Sequence, residues 1–124
     1  MKFKLLLTLL YSTFTIITST CKNSTEPKVG ENDISVVIQN SDIYEYRTGI
    51  AGDEEGVIIT KQSHYHEISE IIRGKETNFE AVYRYKPKHN FKGTDSVELE
   101  KQTGSDGSSP PTRFEKVRIF ITVK

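Results

Sequence analysis

The feature that most constrains this chain is a two-residue apolar period that recurs through its last third. Val117, Ile119, Ile121 and Val123 fall on alternate positions of the run 114–123. Successive side chains of a strand point to opposite faces, so this spacing puts the four aliphatic residues on one inward face. Phe79, Ala81, Tyr83 and Tyr85 repeat the pattern against Glu80, Val82, Arg84 and Lys86, giving an aromatic face and a mostly charged one. Pro87 ends that run, because it has no N–H to give to a sheet. Between them, residues 96–102 place Val97 and Leu99 inward beside Glu98 and Glu100.

The earlier part of the chain reads the same way in shorter pieces. Ile34, Val36 and Ile38 alternate with Ser35, Val37 and Gln39, and residues 40–42 (NSD) break the run. Residues 43–46 form a short extended candidate, and 57–60 are a brief apolar strand. Between them lies a loop, 49–56, with three glycines and three acids. Residues 63–74 fit two periods. Tyr65, Ile68, Ile71 and Ile72 suit a helix capped by Ser63 and ended by Gly74, while Ile68, Glu70 and Ile72 suit one face of a strand. The all-strand surroundings favour β, since short segments yield to tertiary context. Residues 88–93 turn the chain, and 103–112 (TGSDGSSPPT) are dense in turn residues. About seven strands joined by such clusters argue for an all-β antiparallel sandwich.

A motif order strengthens that reading. Tyr85-Lys86-Pro87 is followed by Phe91-Lys92-Gly93-Thr94-Asp95-Ser96-Val97, then Gly104 to Gly107, then the aliphatic strand ending at Val123. This order resembles the bacterial Ig-like, cadherin-like domains that occur in tandem in surface and adhesion proteins. The resemblance covers the C-terminal part of the chain and implies an Ig-like sandwich. Val97 and Leu99 stand where those domains usually carry aromatics, and the chain has room for one copy. Physical roles follow for each piece. Tyr85 packs inward, Phe91 plugs one end of the core, and Gly93 adopts a backbone angle closed to other residues. Asp95 and Ser96 hydrogen-bond nearby backbone and fix the turn into the next strand. The motif therefore speaks of fold rather than chemistry.

The N-terminus carries a different message. Lys2 and Lys4 precede an apolar run, 5–17, and Thr18-Ser19-Thr20 lead to Cys21, the only cysteine. This is the layout of a secretory signal. With a cysteine at the cleavage point it resembles a bacterial lipoprotein signal, which implies that Cys21 is acylated and becomes the new N-terminus. The run is too short to span a bilayer, which takes about 20 apolar residues. An ordinary exported protein would leave a lone thiol in an oxidising compartment, whereas lipidation accounts for it. The expected organisation is a signal peptide at 1–20, a lipidated cysteine with a polar tether at 21–33, and an Ig-like sandwich at 34–124. The expected location is the bacterial cell envelope, at the outer membrane or cell surface, with the membrane reached through the lipid.

Removing Lys2 and Lys4 takes the formal charge from zero to about −2. No basic stripe interleaved with aromatics is present, which sets nucleic acid aside. No G-x-S-x-G elbow or other catalytic set appears, so no catalytic residue and no enzyme is expected. His64 and His66, on one face of a strand, form a weak metal pair that needs a third ligand such as His89. Asp53, Glu54 and Glu55, with Asp106 and Asp95, are loop acids that the cadherin-like resemblance would suggest for calcium. No D-x-D-x-D-G loop is present, so no cofactor beyond the covalent lipid is expected. Asp53, Glu54, Glu55 and Asp106 remain binding candidates, on loops 49–56 and 103–112. The function expected is a non-catalytic envelope lipoprotein that presents one domain to a protein or glycan partner. The alternative is a structural spacer or accessory subunit of an envelope assembly.

Overall fold

The computed structural model describes residues 32–124. Seven strands follow in order: β1 Asp33–Ile38, β2 Tyr44–Arg47, β3 Gly56–Lys61, β4 His66–Ile72, β5 Val82–Pro87, β6 Gly93–Thr103 and β7 Arg113–Val123. They form a four-stranded sheet, β1-β7-β6-β3, and a three-stranded sheet, β2-β5-β4. All pairs are antiparallel except β1 with β7, which run parallel from Asp33↔Arg118 to Ile38↔Val123. The expected signal segment, Cys21 and the expected tether as far as residue 31 lie outside the described residues.

The core sits where the two inward faces meet. Val97 and Leu99 of β6 and the alternate residues Val117, Ile119, Ile121 and Val123 of β7 are all buried. Tyr83 and Tyr85 of β5 meet them from the other sheet. Burying side chains of this size contributes about 1.5–3 kcal/mol each, against which chain entropy must be set. The first strand behaves as its alternation requires, with Ile34, Val36 and Ile38 against the core and Val37 turned to solvent.

Within residues 63–74 the chain forms strand β4, His66–Ile72, with a bulge between His66 and Ile68 that shifts its parity. Beyond the bulge Ile71 packs on the core, Ser69 hydrogen-bonds the Tyr83 hydroxyl at 2.7 Å, and Glu70 is exposed. A single alternation cannot run through such an offset, which is why the sequence fits two periods there.

The expectation for Phe79 is overturned. Phe79 does not continue the aromatic face of β5; its side chain is 56% exposed. A 3-10 turn, Lys75–Thr77, precedes it, and Asn78 and Phe79 both take positive φ, 54° and 63°. Two successive left-handed residues swing the chain out before the strand begins at Val82. The Phe79 N–H closes this turn on the Gly74 carbonyl at 2.7 Å.

The resemblance motif serves the fold, but Asp95 lies within β6 and binds mainly across the sandwich rather than fixing its own turn. Gly93 has φ of 140°. Phe91 packs on the core edge and stacks on Tyr65, with ring centroids 4.5 Å apart. Asp95 is 3% exposed and accepts four hydrogen bonds. They come from the backbone N–H groups of His64, Tyr65 and Ser96 and from the Tyr85 hydroxyl. One carboxylate thus ties the β3–β4 connection to β5 and β6.

Candidate functional site: the end formed by loops 48–55, 73–81 and 104–112

Strand polarity sorts the six connections between two ends. Loops 39–43, 62–65 and 88–92 lie at one end, and 48–55, 73–81 and 104–112 at the other. The second end carries both loops singled out from the sequence and most of the acids found in the connecting loops.

Its backbone is tightly held. Thr48 is buried, and its hydroxyl donates to the Ala81 carbonyl at 2.6 Å. Ala81 returns a bond to the Ile50 carbonyl at 2.8 Å, so the bases of loops 48–55 and 73–81 are locked together. Glu80 accepts from the Gly49 N–H at 2.8 Å and from Arg47. The Gly49 N–H first, and then Arg47, hold the Glu80 carboxyl below the usual carboxylate range.

Arg73, the first residue after β4, closes the assembly. Its guanidinium donates to three carbonyls: Phe79 at 2.7 Å, Glu55 at 2.8 Å and Gly52 at 2.7 Å. A guanidinium presents five N–H groups in a fixed fork and cannot lose its charge, so it suits such a node. Within loop 73–81 the buried Thr77 hydroxyl accepts from the Gly74 N–H at 3.0 Å.

The third loop is braced from inside. Asp106 accepts from the N–H groups of Ser108 and Ser109 and from the Ser109 hydroxyl, at 2.9, 2.8 and 2.7 Å. These bonds hold its carboxyl below the usual range, that of the Ser109 hydroxyl foremost. The absence of a side chain at Gly107 lets the Glu54 carboxylate come close; a Cβ there would stand 2.8 Å from Glu54 Oε1.

Between the first and third loops lies an open recess of about 540 Å³. Gly52, Asp53, Glu54 and Glu55 line one side, and Thr103, Gly104, Ser105 and Arg113 the other. A second recess of about 320 Å³ shares Thr103 and Arg113 and adds Ile50 and the exposed Phe114. The arrangement offers carboxylates and one guanidinium beside an apolar patch, on backbone that is already ordered. Such a surface can bind without first having to order itself.

Comparison with known proteins adds little to this geometry. No family model matches the chain, and no curated protein does. Among solved structures, the crystal structure of the cysteine protease inhibitor EhICP2 from Entamoeba histolytica is similar at a TM-score of 0.40 and 15% identity. The match covers 76% of this chain and 88% of that one. The likeness is loose, and the sandwich stands on its own strand pairing.

The sequence candidates fare unevenly. Asp53, Glu54 and Glu55 come together on the recess. Asp106 sits on the neighbouring loop, but its carboxylate faces its own backbone. Asp95 is at the opposite end, buried and fully engaged, so it shares no calcium site with those acids. His64 and His66 do not share a strand face, because His64 lies in the connection before β4 and only His66 is in the strand. His66 Nδ1 is 2.9 Å from the Ser63 hydroxyl. Among the described residues no group of three His, Cys, Asp or Glu could hold a metal ion. Arg73, Thr48 and Glu80, which build the site, escaped the sequence reading. Apart from the Arg47–Glu80 ion pair they act on backbone groups, which leave no signature in sequence.

Proposed function

We propose that this chain is a cell-envelope lipoprotein whose single Ig-like domain is a non-catalytic binding module for a protein partner. Acyl chains on Cys21 hold it to the membrane, and the end built from loops 48–55, 73–81 and 104–112 engages the partner. The observation that carries this reading is the Arg73 node, which braces two connecting loops through three carbonyls and presents Asp53, Glu54 and Glu55 on ordered backbone. Binding surfaces commonly sit on loops held by a rigid scaffold. One acyl chain binds a bilayer only marginally, at about 0.8 kcal/mol per buried methylene, whereas two or three anchor it firmly. Adhesion and a glycan partner fit the same end less well, since its exposed ring side chains stand on separate elements, Phe79 in loop 73–81 and Phe114 in β7.

The test is capture of partners from envelope extracts with the acylated protein as bait. The wild-type chain is expected to retain a specific protein that Asp53→Lys/Glu54→Lys loses, while Lys92→Glu at the far end retains it. Equal recovery by all three baits, or none above background by the folded wild type, removes the binding assignment.

A further inference from the structure

The long strand β7 is only half covered on its outer side. β6 pairs with it along its whole length, from Gly93↔Val123 to Thr103↔Arg113. β1 pairs with it only from Arg118 to Val123, and Asn32, just before β1, is an exposed turn position, so β1 does not run on along the edge. Among the described residues no strand covers the edge of 113–117, and residues 113–116 are exposed, Phe114 by 59%. Backbone N–H and C=O groups along such an edge are a template for another strand.

We propose that this edge is an interface with a second copy of the chain, β7 pairing antiparallel with its own counterpart about a two-fold axis through Phe114. A two-fold interface is isologous: where one residue meets another, the second meets the first across the axis. Directly opposed residues share a face of the sheet, so the axis passes through a residue rather than between two. Within 113–117 one choice avoids like charges. Centring on Arg113, Glu115 or Lys116 sets that residue against itself, and centring on Val117 sets Lys116 against Arg118. Centring on Phe114 brings the two rings together and sets Arg113 against Glu115 on either side of them. Aromatic and opposite-charge cross-strand pairs stabilise a sheet, whereas like charges directly opposite destabilise it.

The neighbouring strand extends the match. Within one chain Glu115 already lies opposite Lys101 on β6 and pairs with it at 3.5 Å. Joining two copies therefore builds rows of Lys101, Glu115 and the second copy's Arg113 that alternate in sign. Beyond Thr112, Pro110-Pro111 stop the strand, since neither has an N–H to donate. Pairing this short suits a weak, reversible dimer. The joined strands run in opposite directions, so the dimer presents its two recesses at opposite poles. The proposal depends neither on acylation nor on a binding partner.

Sedimentation velocity on residues 22–124, which contain both sheets entire, tests this. The wild-type sequence is expected to pass from monomer to dimer as its concentration rises towards about 1 mM. Arg113→Glu sets Glu against Glu at both charged rungs, and Glu115→Arg sets Arg against Arg. Each alone is expected to weaken the dimer about ten-fold. An equal mixture of the two variants restores opposite charges at both rungs, and is expected to form heterodimers within about three-fold of the wild-type affinity. Both positions are exposed, and a misfolded chain could not rescue its complement. A chain that stays monomeric throughout, a dimer indifferent to both reversals, or a mixture that fails to associate would each overturn the proposal.

Discussion

Replacing Asp95 removes a side chain that ties the β3–β4 connection to β5 and β6, and the cost can be worked out from its partners. In Asp95→Ala the N–H groups of His64 and Tyr65 lose their acceptors, at 2.9 and 2.8 Å in the native chain. The Tyr85 hydroxyl keeps a second acceptor, the Tyr65 carbonyl at 3.2 Å, so its loss is partial. Each orphaned donor costs about 1–3 kcal/mol, with the lower half apt here because the connection is only partly buried. The sum is about 3 kcal/mol, a large share of the roughly 5–14 kcal/mol expected of a domain this size. At about 4–8 °C per kcal/mol, the melting temperature should fall by roughly 12–24 °C. Asp95→Asn should cost about half as much, because one carbonyl oxygen survives while its amide confronts an N–H. Urea and thermal unfolding of residues 32–124 measure both. A drop in Asp95→Ala of under about 1 kcal/mol would show that the carboxylate does not link the strands as described.

Further outcomes follow from the same contacts. Arg73→Ala should lower stability by only about 1–2 kcal/mol, yet hydrogen exchange should rise at 52–55 and 79 while the β6–β7 pair stays protected. Gly93→Ala forces a side chain into φ of 140° and sets its Cβ 3.4 Å from the Phe91 ring, so it should cost about 1–3 kcal/mol in urea unfolding. Burial raises the ionisation of Tyr85 and Tyr83 above the ordinary tyrosine value of 10.0, and the Asp95 carboxylate adds to it for Tyr85. A raised folded value means stability is fully present below pH 10 and lost as the pH climbs above it, where the unfolded tyrosines ionise first. The urea midpoint should therefore fall steeply above pH 10, less so in Tyr85→Phe; a midpoint flat to pH 11.5 would contradict this. Cys21→Ser should release the protein from membranes in cell fractionation, and an unchanged distribution would count against the anchor.

How much of this was legible in sequence depended on whether side chains or backbone did the work. The faces of β1, β6 and β7 could be read off because each keeps one parity from end to end. Asp95 could be singled out as a turn-fixing residue, though not as a buried four-donor hub, since two of its partners lie thirty residues away. Residues 63–74 resisted because the bulge changes parity partway. Phe79 misled because its run has the right spacing, and nothing in Asn78-Phe79 announces two left-handed residues in a row. The loops of the candidate site were recognised by composition. What binds them together was not, because Arg73 grips carbonyl groups that every residue carries.

The central claim is that a braced loop end is held at the membrane by lipid on one cysteine. Intact-mass measurement of the protein purified from its native membranes tests this most directly. The account predicts a chain that begins at Cys21 and carries the added mass of two or three acyl groups. A chain with an unmodified Cys21 thiol would contradict it.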